Sequence, residues 1–168
     1  MPMPKKNPYK LDQVAIRMVK ERPLISDEPV NSPEKVVKLV HEFLKDYDRE
    51  VFAVINFQTN LQPINMNIVS VGALNASMVH PREMLKSIVL SNAAAVMMVH
   101  NHPSGQVQPS AEDISVTAKM SQLMKLMEVT LLDHIILGPG EQYYSFHESD
   151  VRTLNGEAPI KKDRGWER

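Results

Sequence analysis

The sequence predicts a single domain of mixed α and β structure, α+β or α/β with a mixed sheet, and three observations predict it. Short apolar runs at strand length alternate with stretches at helical spacing. Two of the strand-like runs flank a polar turn, as in a hairpin. A third, "AAAVMMVHNH" (93–102), is apolar throughout, as expected of a strand covered on both faces. A chain of 168 residues suits one well-packed domain and is short for two. At 43% hydrophobic and 23% charged it has the profile of a globular protein, not a disordered one.

The elements follow in order. Residues 1–30 form an N-terminal extension: a Pro- and Lys-rich start, then "QVAIRMVKE", where Val14, Ile16 and Met18 alternate with their neighbours as in a strand. The Pro-rich connector "RPLISDEPVNSP" leads to Ser32, an N-cap candidate, with Pro33 and Glu34 suited to a first helical turn. Val36, Val37, Val40, Phe43 and Leu44 carry that helix to about Tyr47. "EVFAVINF" (50–57) reads as a buried strand, "QTNLQ" as a turn, and "PINMNIVSVG" as the returning strand with Ile64, Met66 and Ile68 on one face. Pro81 opens a helix to about Asn92, and the strand 93–102 follows. Ser110 caps a helix carrying Ile114, Ala118, Met120, Leu123, Met124 and Met127. "VTLLDHIILG" and "YYSFH" are the closing strands, so the domain spans 31–150 with a C-terminal tail at 151–168. The 11 methionines fall mostly on core faces and serve as filling.

Composition excludes several functions. With no cysteine, disulfides and thiolate metal sites are ruled out. A net charge of −1 offers no general field for nucleic acid or an anionic membrane, so tight binding to DNA is not expected. The opening "MPMPKKNPYK" lacks the apolar run of a signal peptide, and no apolar stretch reaches membrane-spanning length, so a cytoplasmic location is expected.

"VHNHPSG" (99–105) carries the chemistry. His100 and His102 are two apart at a strand end and therefore share a face. They sit where a buried strand gives way to a Pro/Ser/Gly loop, a place where a scaffold commonly aims catalytic groups. Asp113 follows His102 by eleven residues, in the first turn of the next helix. Two histidines and a carboxylate match a three-ligand zinc site with one open position. A competing reading makes Ser110 and Asp113 a capping box, with the carboxylate folded back on the cap amide. Capping does not account for the histidines.

The series His100, His102, Pro103, Ser110 and Asp113 (H-x-H-P-x6-S-x2-D) resembles the zinc motif of the JAB/MPN (JAMM) metallopeptidase superfamily. The strings "SVGALNASMVHPREMLKSIVLSNAAAVMMVHNHPSG", "QPSAEDISVT" and "LLDHIILG" resemble its RadC branch, over roughly residues 30–148. The resemblance implies a curved mixed sheet flanked by helices and one Zn2+ per chain on His100, His102 and Asp113. It further implies a hydrolase acting on a peptide or isopeptide bond of an unknown peptide or protein substrate. Such enzymes use an upstream glutamate as general base, and Glu50, about fifty residues before His100, fits that position; Glu83 is the rival. Ser110 would donate to the oxyanion. RadC relatives generally carry an N-terminal helix-hairpin-helix region, for which about thirty preceding residues are too few. The alternative is a non-catalytic JAB-type module serving DNA repair, DNA metabolism or partner scaffolding.

The remaining polar residues read as structural. His80 is placed as a helix cap, and His41 and His147 at the surface. Ser104-Gly105 makes a tight turn. Asp133 and His134, adjacent in a strand, point to opposite faces; a satisfied buried polar role is favoured for both over support of a metal ligand.

Overall fold

The structure, a computed structural model, describes residues 13–21, 30, 32–44, 47–72 and 79–157. Helix α1 (Pro33–Leu44) precedes the hairpin β1 (Glu50–Phe57) and β2 (Pro63–Gly72); α2 (Pro81–Leu90), β3 (Ala95–Asn101) and α3 (Ala111–Leu126) follow. The chain then forms β4 (Thr130–Leu137), β5 (Tyr143–Ser145), α4 (Phe146–Ser149) and α5 (Val151–Leu154). The five strands make one sheet in the order β2-β1-β3-β4-β5. Only the β3/β4 pair is parallel, the geometry that a helical crossover permits. The expected α+β class with a mixed, helix-flanked sheet is what the chain adopts.

Alternation along the strands divides the core in two. Val51, Ile55 and Phe57 of β1 pack with Ala95, Met97 and Val99 of β3 and Ile135 and Leu137 of β4 against α1. Burying Val36, Val37, Val40 and Leu44 of α1 on this face contributes about 1.5–3 kcal/mol per side chain as an upper estimate. On the other face Phe52, Val54, Val96 and Met98 pack against Met84 and Ile88 of α2 and Met120 and Met124 of α3. His100 and His134 project toward this second face, between the sheet and α3. Being covered on both faces, β1 and β3 are buried along almost their whole length, while the edge strand β2 is half-exposed.

Several local expectations need correction. Residues 13–21 form no strand: Val14 and Val19 are 80% and 86% exposed, because alternation alone supplies no partner for a ladder. Much of the connector at 22–33 lies outside the described residues. Helix α1 is described to Leu44, residues 45 and 46 lie outside the described residues, and Tyr47 is not helical. Helix α2 stops at Leu90, with Asn92 taking a positive φ of 47° just past the cap residue Ser91. His80 stands at the N-cap position of α2, yet its side chain makes no capping bond. Phe146 and His147 leave the strand for α4, where the Ser145 hydroxyl accepts from the Glu148 amide at 3.1 Å. Residues beyond 150 continue the folded unit through α5, whose Leu154 packs with Ile136 and Phe146. No helix among the described residues is long and apolar enough to cross a membrane.

Candidate metal centre

Strand β3 delivers His100, fully buried, at its C-terminal end, and its ring stacks on Phe52 with centroids 5.4 Å apart. His102 lies just past the strand end, where its amide donates to the Leu137 carbonyl at 2.9 Å. The chain turns at once: the Gly105 amide donates to the His102 carbonyl at 2.9 Å, with Gly105 at φ 81°. This loop lies so close to the end of β4 that a Cβ on Gly138 would stand 2.6 Å from the Val107 side chain. The turn brings the Gln106 carbonyl to 2.6 Å from His102 Nδ1.

Helix α3 supplies the carboxylate. Ser110 and Asp113 do form the capping box: the Ser110 amide and hydroxyl both donate to Asp113 Oδ2 (2.7 and 2.6 Å), and the Asp113 amide donates to Ser110 Oγ at 3.1 Å. The same side chain faces the histidines. Oδ1 lies 3.2 Å from His100 Nε2, Oδ2 lies 3.5 Å from His102 Nε2, and the two Nε2 atoms are 2.9 Å apart.

Hydrogen positions follow from the partners. A carbonyl oxygen only accepts, so His102 Nδ1 carries a proton for Gln106, and the neutral ring presents a bare Nε2. Thr117 Oγ1 donates to the Asp113 carbonyl at 2.6 Å and so accepts from His134 Nδ1, also at 2.6 Å. That leaves His134 Nε2 as the acceptor for His100 Nδ1 at 2.9 Å, and His100 likewise presents a bare Nε2. Two imine lone pairs and a carboxylate thus converge, three acceptors without a hydrogen of their own to share. A cation satisfies such a set. Tetrahedral ligands about 2.0–2.2 Å from a zinc-sized ion stand roughly 3.3 Å from one another, and the two Nε2 atoms at 2.9 Å and the His100 Nε2–Asp113 Oδ1 pair at 3.2 Å lie near that spacing. The candidate donor atoms all lie within 4.8 Å of one another, so the residues fit a bound metal ion.

Burial opposes ionisation of Asp113, but when protons stand in for a cation between the rings and the carboxylate, hydrogen bonds from His100, His102 and Ser110 outweigh it and hold the carboxyl far below the usual carboxylate range. Asp113 in turn holds His102 above the ordinary histidine value; burial opposes this, while the Gln106 carbonyl and the Glu50 charge add to it. Burial pushes His134 far below the usual value, so it is neutral.

Glu50 begins β1, which runs antiparallel to β3 with Phe52 opposite His100. Two residues back along β1 and two on along the facing chain place Glu50 toward His102 on the same face. Asn101 fixes this junction. Its Oδ1 accepts from the Val51 amide at 2.7 Å and its Nδ2 donates to the Arg49 carbonyl at 3.1 Å, so it grips both peptide groups flanking Glu50. Glu83 is engaged elsewhere, in the first turn of α2 with Lys86 at 2.6 Å and Arg82 at 3.8 Å.

Asp133 and His134 do point to opposite faces. Asp133 accepts from the Ser145 hydroxyl and from the amides of His134 and His147, a structural role; burial still raises its pKa. His134 instead bonds directly to His100, which the sequence reading had disfavoured. Asn101, Gln106 and Thr117 went unnoticed there. For Thr117 a signal existed: it lies four residues after Asp113 and so shares its helix face.

A sequence profile for the RadC-like JAB domain matches residues 30–151. The chain is similar to a UPF0758 protein of Methanosarcina mazei, 44% identical over 111 residues, covering 66% of this chain and 48% of that one. It is similar to a UPF0758 protein of Desulfitobacterium hafniense, 38% identical over 135 residues, covering 80% and 59% respectively. A UPF0758 protein of Shouchella clausii is 43% identical over 119 residues, covering 71% and 50%. The chain therefore spans about half the length of the curated relatives it matches. With a profile match over most of its length and a converged His-His-Asp cluster, the chain belongs to the RadC-like JAB domain family.

Proposed function

We propose that this domain is a zinc-dependent hydrolase of amide bonds, a peptidase or isopeptidase. The observation that carries the reading is the convergence of two bare imidazole nitrogens and the Asp113 carboxylate, built without thiolates, on one point at a strand end.

His100, His102 and Asp113 would hold the ion. When bound, zinc supplies Lewis acidity, making a water acidic enough to ionise near neutral pH and polarising the substrate carbonyl. The chain's own residues do the rest. Glu50 takes the proton of the attacking water on its carboxylate and delivers it to the nitrogen of the leaving amine. A C–O bond forms, the C–N bond breaks, and the products are a carboxylate and an amine. Asn101 holds Glu50 in register with the histidines through the peptide groups on either side of it. Phe52 stacks on His100 and Phe146 on His134, covering those rings from solvent. Ser110 has a double task. Its hydroxyl hydrogen goes to Asp113 Oδ2 here, so donation to a developing oxyanion requires that the hydroxyl turn toward bound substrate.

The test is cleavage of a mixed-sequence peptide pool by the zinc-loaded protein, read by mass spectrometry. New termini should form with zinc, vanish with a chelator, return on adding zinc back, and be absent with Glu50→Gln. Cleavage that survives both the chelator and Glu50→Gln contradicts the reading.

A further inference from the structure

We propose that His134, held by Thr117, is a positioning residue that locks His100 in the one tautomer able to bind metal. The inference rests on the reading of His100 as a metal ligand and adds a directional hydrogen-bond chain behind it.

That chain can be traced atom by atom. Thr117 Oγ1 and the Asp113 carbonyl oxygen are 2.6 Å apart, a separation two oxygens tolerate only with a hydrogen between them. The carbonyl has no hydrogen to give, so the hydroxyl hydrogen lies there. Thr117 Oγ1 has then only lone pairs to offer His134 Nδ1, 2.6 Å away, and His134 must carry its proton on Nδ1. His134 Nε2 is left as an acceptor, and the atom facing it at 2.9 Å is His100 Nδ1. His100 is thereby obliged to place its proton on Nδ1 and its lone pair on Nε2, the atom that faces His102 and Asp113.

The chain starts and ends in the same site. Its first acceptor is the backbone carbonyl of Asp113, whose side chain faces His100, and its last member is His100. Reversing either histidine bond, Thr117–His134 or His134–His100, would put a hydrogen on His100 Nε2 and block metal binding. Packing leaves these groups little alternative: Thr117 and His134 are fully buried, and His134 stacks on Phe146 with centroids 5.1 Å apart and planes within 5°. A satisfied core histidine would need partners but no particular direction. Here each bond forces the next, and the direction favours the metal.

Nitrogen-15 NMR of the histidine rings tests this, since the two tautomers give distinct shifts. Spectra are taken of the zinc-free and zinc-loaded protein. We expect His134 to be protonated on Nδ1 and bare on Nε2 in both, and His100 to be protonated on Nδ1. A His134 proton on Nε2 in the zinc-free protein overturns the proposal. Variants give the second arm, each confirmed as folded by circular dichroism. Thr117→Val and His134→Leu should weaken zinc binding about 10–100-fold, the usual effect of losing a partner behind a ligand. Thr117→Ser and His134→Gln, which restore a hydroxyl and an acceptor, should recover most of it. Zinc affinity within twofold of wild type in both Thr117→Val and His134→Leu overturns the proposal. Failure of the underlying metal reading looks different: wild-type protein would then not bind zinc, while the tautomer of His134 would still be measurable.

Discussion

Ser110 and Asp113 are joined by three hydrogen bonds, two of which end on a single carboxylate oxygen, Oδ2, and leave Oδ1 facing His100 Nε2 at 3.2 Å. Capping and metal binding therefore do not exclude each other: one oxygen starts helix α3 while the other is free for the metal. The cap aims the carboxylate.

Asp113→Asn separates the two tasks. Asparagine still presents an oxygen to Ser110, so metal-free stability should change little in thermal unfolding. Its amide would meet His100 Nε2 in place of an anionic oxygen. Zinc affinity should fall by more than the roughly 10–100-fold typical of partners behind a ligand, measured by competition with a chelator.

Ser110→Ala is the complementary change. Loss of the cap should cost about 1 kcal/mol in unfolding experiments, zinc should stay bound, and cleavage should fall by about a hundredfold or more if the hydroxyl serves the oxyanion. Unchanged cleavage would confine Ser110 to its structural task.

Glu50→Gln should retain the fold and the zinc and lose cleavage by about 10²–10⁴-fold, the usual contribution of a general base. Glu83→Gln removes a carboxylate already engaged with Lys86 and Arg82 and should leave cleavage unchanged. The opposite ranking in the peptide assay would move the base to α2.

Asn101→Ala leaves the Val51 amide without its partner, a loss of about 1–3 kcal/mol in chemical denaturation. It also frees the segment bearing Glu50, so kcat should drop while zinc content does not. Asn101→Asp keeps the acceptor for Val51 but sets a second acceptor against the Arg49 carbonyl, so it should recover only part of the stability.

Zinc affinity should weaken on acidification, and the sign follows from His102. Only the neutral ring binds metal. The folded protein holds its pKa above the ordinary value, mainly through Asp113, so protons compete for it at higher pH than for a free imidazole. The loss should begin above pH of about 6.5, read from chelator competition across a pH series.

The hairpin, the doubly covered strand β3 and the capped helix α3 were legible because each carries a local signature: a polar turn, an unbroken apolar run, a serine before an acidic turn. The candidate metal cluster was legible for the same reason, His100 and His102 being two apart and Asp113 sitting in a capped first turn. What lay behind them was not. Thr117 looks like a neutral helical residue until the fold sets it against His134, seventeen residues on. His134 reads as an ordinary core histidine until β4 pairs in parallel beside β3. The expected strand at 14–19 failed for the converse reason, since alternation states a preference and only a neighbouring strand satisfies it.

The account turns on whether His100, His102 and Asp113 hold zinc. The direct measurement is elemental analysis, with X-ray absorption at the zinc edge, on protein purified without a metal-affinity tag and dialysed at neutral pH after zinc is supplied. The account predicts one zinc per chain in a nitrogen and oxygen shell containing two imidazoles, lost in His100→Ala. No retained zinc, or zinc held equally well by His100→Ala, would contradict it.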